Sequence, residues 1–511
     1  MKATITINPQ RIIGNIDPEI YGQFLCRRLW AADKGLYYPG HPDADEFGLR
    51  KSVVNALAAV KPSLVRWPGG CTGTSYDWQD GIGPAEERQK TVDVQFASEV
   101  TNGFGTAEFV NLCRRIGAEP HLNISTGLGT MRDAIEWIEY CNYTTNTKFA
   151  NLRRSHGYEE PFNVKYWQIG NENYGRWELG QGTPDNYSEL ARQWAKAVKK
   201  IGRKPVRVKV LAVGASDMPN YIDWDYQVLT KAWDYIDYLT THRYWNFATE
   251  TPPHKRLKYF ENNEIENIVA AGHVEEQTIL AIGGLIDLIA RDKHSDTKPK
   301  LAFTEWNSRL LQSMKVESGM KDTQFRLADA LACATFMNAM QRQCNIVGLA
   351  TFAQSINVCG MLYVDEESVV KETVYWPVYL QRLYSGEISV DNFVQCDSYN
   401  TVFKETFHEP KDYNVPYLDV STTINKEQNK LFISVVNRNS KQEAVTKINM
   451  INGSLPSSIK GFRLWHENPL QRNTVAQPDS VKPIEIEEKI KSGNPEIVLP
   501  PFSHTILICD Y

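Results

Sequence analysis

Two glutamates stand in settings that suit bond-breaking chemistry. Glu172 ends the run Tyr166-Trp-Gln-Ile-Gly-Asn-Glu172, and Glu305 follows Leu301-Ala-Phe-Thr. Each comes just past an apolar segment and has a Trp close by in sequence. A carboxyl in apolar, aromatic surroundings is costly to ionise and tends to keep its proton, while a neighbour that stays ionised can act as a nucleophile. Glycoside hydrolysis divides labour between two carboxyl groups in this way. A lone glutamate at a strand end more often caps a helix, pairs with a cation or binds a metal. The pair, with Asn171 ahead of one member, is what carries the reading. No set of three or four Asp, Glu or His at strand ends suggests a metal shell. No Gly-rich phosphate loop stands out.

Groups that act together must be held by elements that converge. Short apolar runs recur along the chain at Ile20–Phe24, Leu64–Arg66, His121–Asn123, Tyr166–Ile169, Val208–Val213, Tyr238–His242, Leu301–Thr304 and Ile346–Ala350. Between them lie amphipathic stretches such as Thr106–Ile116, Thr130–Tyr140, Tyr187–Ile201, Glu276–Arg291 and Gln324–Gln343. Alternating β and α units with near-continuously apolar strands predict a parallel sheet covered by helices. Eight units predict an α/β chain with a (β/α)8 TIM barrel, and reactive groups sit at the C-terminal ends of such strands. Glu172 and Glu305 then follow strands four and seven. Beyond about Tyr384 the texture changes to short alternating segments separated by turns: Tyr417–Thr422, Lys430–Arg438, Glu443–Met450, Gly461–His466, Ile484–Ile490 and His504–Asp510. They predict a C-terminal antiparallel β-sandwich, jelly-roll-like, which the strand Ala3–Asn8 joins. The expected division is 17–385 for the barrel and 1–16 plus 386–511 for the sandwich.

Composition limits the partners. The 511 residues are 42% hydrophobic, 23% charged and 11% aromatic, with a net charge of −5. A chain without basic excess is not built to hold a nucleic-acid backbone. The longest apolar run, Ile279–Ala290, is broken by Asp287 and too short to span a bilayer. The first residues alternate polar and apolar, unlike a signal peptide. Nine cysteines, an odd number with no C-x-x-C pair, suit free thiols in a reducing compartment. A cytoplasmic enzyme is expected.

Several motifs, in order, resemble glycoside hydrolase family 51, the α-L-arabinofuranosidases of the retaining (β/α)8 clan. They are Ile20-Tyr-Gly-Gln-Phe24, Arg66-Trp-Pro-Gly-Gly-Cys71, Tyr76-Asp-Trp-Gln-Asp-Gly-Ile-Gly-Pro84, Phe104-Gly-Thr-Ala-Glu-Phe109, Asn151-Leu-Arg-Arg154, Asn163-Val-Lys-Tyr-Trp167, Gly170-Asn-Glu172, His242-Arg-Tyr244 and Glu305-Trp-Asn307. The resemblance spans nearly the whole chain. It implies Glu172 as general acid/base, Glu305 as nucleophile and Asn171 as the partner of the sugar 2-hydroxyl. It places Tyr244 and His242 beside the catalytic pair and Cys71 and Gln354 against sugar hydroxyls. Trp177 joins the substrate-binding set. Trp67 is expected to shape the loop after strand two. Two positions depart from the family: Cys26 stands where many members carry a furanose-binding acid, and Arg309 where many carry a Trp. Asp33 is one loop acid able to substitute for the acid missing at 26.

The implied activity is retaining release of terminal α-L-arabinofuranosyl groups, with the two carboxyl groups about 5–5.5 Å apart. No metal or organic cofactor is implied. The same pair acting on a β-xyloside, a galactofuranoside or a β-glucan is the alternative, and a catalytically silent sugar-binding protein is a third reading. The implied partners are an arabinose-containing oligosaccharide and further copies of the chain, by resemblance a hexamer; neither nucleic acid nor membrane is expected. The sandwich, with Trp465 as its one Trp, is expected to be scaffold. Trp67, Trp78, Trp167, Trp177 and Trp306 beside the strand-end motifs are expected to line a sugar site as well as fill core. The polar insertion Phe247–His273 is expected at the rim.

Overall fold

The computed structural model describes residues 1–28, 30–216, 218–219, 221–245, 265–308, 324–403, 410–490 and 495–510. Eight parallel strands close into a barrel: Gly22–Phe24, Leu64–Trp67, Glu119–Ile124, Tyr166–Ile169, Lys209–Val213, Tyr238–Trp245, Lys300–Ser308 and Val347–Ala353. Each is buried almost throughout, which is why its sequence is a continuous apolar run and not an alternating one. The helices around them carry ordinary start and stop signals. Thr183 caps Pro184–Ile201 by accepting from the Asn186 N–H at 3.2 Å, with Pro184 at the first helical position. Thr106–Ile116 ends where Gly117 turns left-handed at φ +74°.

The barrel interior changes character along its axis. Its floor is apolar: Leu64, Tyr166, Leu211, Tyr238, Ala302 and Leu349 form one buried cluster. Inward positions recur every second residue along a strand. Two residues on from the floor come Arg66, Gln168, Thr240, Thr304 and Thr351, all buried. Arg66 Nε donates to Gln168 Oε1 at 3.1 Å, so this layer is cross-linked. Two further on strand six lies His242, then Tyr244.

Strand seven breaks the rule of two. Its register against strand six slips between Phe303 and Glu305, leaving Thr304 as an extra residue. Thr304 Oγ1 meets His242 Nε2 at 3.1 Å, and Glu305 reaches Arg66 and Tyr244. In a regular strand these consecutive side chains would point to opposite faces. The bulge brings both into the barrel mouth.

The second body is a nine-stranded sheet in the order Ile484–Lys489, Ser458–Trp465, Ser503–Asp510, Lys430–Asn437, Leu418–Asn425, Ile388–Gln395, Lys2–Asn15, Ala444–Met450, Glu496–Leu499. Its pairs are antiparallel except Lys2–Asn15 with Ala444–Met450, which run parallel. One face gathers Ile5, Ile7, Val420, Ile433, Ile448 and Leu507 into a separate core. Side chains on the opposite face, Val436, Leu464 and Ile506, pack on Leu327, Leu331 and Ala334 of the helix Leu327–Arg342. That helix is buried on all sides because it lies between barrel and sheet. No described helix is long and apolar enough to cross a membrane.

Candidate active site

Four strand ends build the site. Strand four ends at Ile169, and Gly170 at φ +80° starts a tight turn that presents Asn171 and Glu172. A Cβ at Gly170 would fall 2.2 Å from Asn173 Oδ1, so glycine is required there for space as well as for φ. Glu172 itself sits at φ +43°, a left-handed conformation rare for a side-chain-bearing residue and common where backbone strain serves a site. Its Oε2 accepts from Trp177 Nε1 at 2.7 Å, and its Oε1 lies 2.7 Å from His242 Nδ1.

Glu305 is held by cations and a phenol. Arg66 Nη1 donates to its Oε1 at 2.8 Å, and Tyr244 Oη donates to its Oε2 at 2.6 Å. His242 Nδ1 is 3.7 Å from the same Oε2. Burial opposes ionisation of Glu305, but His242, Arg66 and the Tyr244 bond outweigh it and hold the carboxyl below its ordinary range. For His242 burial likewise opposes charge, and the carboxylates of Glu305 and Glu172 outweigh it, holding the ring's proton above the usual histidine range. The arrangement is an ionised glutamate and a second carboxyl joined through one imidazole.

An oxygen of Glu172, a ring nitrogen of His242 and an oxygen of Glu305 lie within 4.8 Å of one another; so do Cys71 Sγ and oxygens of Glu172 and Glu178. No local sequence pattern marks these three-donor groups, whose members come from separate strand ends and loops. Their carboxylate oxygens already accept from Trp177, Arg66, Tyr244 and Asn171. The fixed charge of Arg66 on Glu305 also repels a cation. The donors therefore suit a hydrogen-bonded acid pair better than a metal shell.

Most of the expected site residues converge. Asn171 accepts from Arg66 Nη2 at 2.7 Å through Oδ1 and donates through Nδ2 to Glu178 Oε1 at 3.0 Å. Cys26 is buried, with Sγ 3.4 Å from Thr72 Oγ1, in a small cluster with Phe24 and Ala353 against Tyr244. Gln354 follows strand eight, and its Oε1 is buried without a partner among the described residues. Arg309 and the insertion as far as residue 264 lie outside the described residues. The insertion's described end, 265–273, bonds to the sheet domain: Tyr399 Oη donates to Glu266 O at 2.9 Å and Arg438 Nε to Val269 O at 2.9 Å. Asp33 accepts from Thr101 at 2.9 Å, while the charged neighbour of Arg27 is Asp93 at 3.4 Å.

The tryptophan expectation needs correction. Trp67, Trp78, Trp167 and Trp306 are at most 3% exposed. Trp67 stacks on Phe109, Trp78 on Trp137, and Trp306 lies edge-on to Phe336 and Phe352. They are core, as was expected of Trp67 alone, because rings beside strand ends fill the gap between strand and helix. Of the five, Trp177 touches the Glu172 carboxyl. Three polar residues were missed. Arg66 had a signal, a lone charge inside the apolar strand Leu64–Trp67. Gln168 had the weaker one of its alternation with Tyr166. Glu178 had none.

The family described as "Alpha-L-arabinofuranosidase 1 domain" matches residues 56–259, and that described as "Alpha-L-arabinofuranosidase C-terminal domain" matches residues 304–503. The chain is 32% identical to the α-L-arabinofuranosidase C of Emericella nidulans, with 92% of this chain and 90% of that one covered. The chain belongs to glycoside hydrolase family 51. Family relatives include the intracellular exo-α-(1→5)-L-arabinofuranosidase of Halalkalibacterium halodurans, 28% identical over 92% of this chain and 91% of that one. Among solved structures, the α-L-arabinofuranosidase of Thermotoga maritima in its arabinose complex superposes with a TM-score of 0.87 at 30% identity, covering both chains completely. The family 51 enzyme of Thermotoga petrophila gives 0.87 at 30% identity, covering 99% of this chain and all of that one.

Proposed function

We propose that the chain is a retaining exo-α-L-arabinofuranosidase that removes terminal α-L-arabinofuranosyl groups from arabinose-containing oligo- and polysaccharides. One observation carries the stereochemistry: oxygens of Glu172 and Glu305 lie within 4.8 Å of each other. Retention goes with carboxyl groups about 5–5.5 Å apart, inversion with about 6.5–9.5 Å. Glu305, ionised by its neighbours, attacks the anomeric carbon while Glu172 passes the proton it shares with His242 Nδ1, 2.7 Å away, to the departing oxygen. The glycosyl-enzyme ester then forms, and Glu172 takes a proton from the water that hydrolyses it. Asn171 bonds the sugar 2-hydroxyl, an interaction that strengthens as charge develops at the adjacent carbon. Residues 17–385 are taken as the catalytic unit, with 1–16 and 386–511 as its accessory unit.

Glu305→Ala should abolish turnover of an aryl α-L-arabinofuranoside, and a near-wild-type rate would overturn the assignment. A second reading, the same pair acting on another glycoside, is favoured by Cys26, which offers a thiol where a carboxylate would grip a hydroxyl. A panel of aryl furanosides and pyranosides separates the two: the arabinofuranoside ranking among the poorest substrates would reject the first. Nine free cysteines support a reducing, cytoplasmic setting. By family resemblance the chain assembles with its own copies, and sedimentation of the full chain reads that state.

A further inference from the structure

A third carboxyl stands in the site. The loop after Asn171 and Glu172 folds back through two tight turns, with Gly175 N donating to Glu172 O at 2.6 Å and Glu178 N to Gly175 O at 3.0 Å. Asn173 pins the loop by donating to Thr126 Oγ1 and Gly180 O, both at 3.0 Å. Glu178 is thereby returned against Asn171 and is 6% exposed. The Asn171 amide is held on both sides, its Oδ1 by Arg66 and its Nδ2 by Glu178 Oε1. A flipped amide would set N–H against N–H at Arg66, so the orientation is fixed. One Nδ2 hydrogen goes to Glu178, and the other is left for a ligand.

The hydroxyl of Thr74 stands between two oxygens. It lies 2.7 Å from the carbonyl oxygen of Cys71 and 3.0 Å from Glu178 Oε2. A hydroxyl has one proton, and the carbonyl can only accept. That proton serves one of these acceptors at a time; a protonated Glu178 donating to Thr74 Oγ1, with Thr74 donating to Cys71 O, satisfies both contacts together. Burial, followed by the charge of Glu172, pushes the Glu178 carboxyl up to about 8 against the lowering bonds from Cys71, Thr74 and Asn171.

We propose that Glu178 is a positioning residue that fixes the Asn171 amide for the 2-hydroxyl of the bound sugar. The inference rests on the role given to Asn171 in the proposed function. Its test is the ratio of kcat/KM on an aryl α-L-arabinofuranoside to that on its 2-deoxy analogue, measured on the full chain. Glu178→Ala should lower that ratio about 10- to 100-fold, the span for losing a well-placed hydrogen bond, by slowing the parent substrate and sparing the analogue. Glu178→Gln keeps an acceptor toward Asn171 and a donor toward Thr74, so it should restore most of the ratio. Thr74→Val, which removes the acid's acceptor and leaves its bulk, should lower the ratio in the same direction and serves if Glu178→Ala does not fold. An equal loss on both substrates, or a Gln variant as impaired as the Ala variant, would overturn the proposal. If the wild type cleaves another glycoside instead, the sugar assignment fails separately, and the same ratio on that glycoside and its 2-deoxy analogue still tests Glu178.

Discussion

At the scale of single residues, Glu305 is buried and yet its carboxyl is held below the ordinary range. Three groups keep it so: His242, Arg66 and Tyr244. Tyr244 allows a clean perturbation, because its phenol donates to Glu305 Oε2 at 2.6 Å and Phe keeps the ring. Losing a donor to the charged form makes ionisation harder, so the Glu305 pKa rises. A nucleophile must be ionised, and the acidic limb of kcat/KM must therefore move to higher pH. A hydrogen bond to a charged group is worth about 1.5–3 kcal/mol and one pKa unit about 1.4, so Tyr244→Phe should shift that limb up by about 1–2 units. A pH–rate profile with an unmoved acidic limb would show that the phenol does not support the charge. Arg66 cannot be tested so cleanly. Removing it strands Asn171 and Gln168 as well as Glu305.

At the scale of elements, the loop after strand two shows how closely backbone and the Glu305 carboxylate meet. A Cβ on Gly70 would lie 2.3 Å from Glu305 Oε1 and 3.4 Å from Asn171 Nδ2. Gly70→Ala should therefore displace the Glu305 carboxylate and lower kcat/KM by about 100-fold or more, because misplacement on the ångström scale has that effect. A Gly70→Ala enzyme with near-wild-type kcat/KM would contradict this geometry. The eight barrel strands were legible because burial on both faces makes each an apolar run. The bulge at Thr304 was not, since it arises from a register slip against a neighbouring strand, and so strand seven runs on to Ser308. Pro18 helps turn Ile20 and Tyr21 into a short 3-10 turn, so strand one begins at Gly22. Three further strands did not stand out: Ser398–Phe403 and Lys411–Pro416 bury few residues, and Glu496–Leu499 is only four residues long. Glu172 and Glu305 were readable from their place at strand ends. Glu178 reaches Asn171 only because a loop returns it, and no local pattern announces that.

At the scale of the molecule, barrel and sheet share one apolar seam and, at its edge, one charge cluster. Asp419 of the sheet accepts from Arg438 at 2.6 Å, Arg342 at 3.2 Å and Asn338 at 2.8 Å, and Arg342 also pairs with Glu276 at 2.6 Å. Asp419 is 4% exposed. Burial alone would raise its carboxyl, but Arg342 and Arg438 outweigh burial and hold it below the ordinary aspartate range. A carboxyl depressed in the folded state stabilises fully above its unfolded pKa, about 3.9, and that contribution is lost as pH falls through the folded value. The seam should therefore loosen below about pH 4. Asp419→Asn leaves Arg438 buried without its counter-charge, a change worth about 3–5 kcal/mol where one partner of a buried pair is removed. Urea unfolding at neutral pH should show that loss, and the variant's stability should fall less steeply than the wild type's as pH drops below about 4. Barrel and sheet should unfold together in both proteins, because Leu327, Leu331 and Ala334 lie against Val436, Leu464 and Ile506. Two separate transitions in the wild type, read by barrel tryptophans and by Trp465, would mean that the sheet is an appended module and not part of the barrel's support.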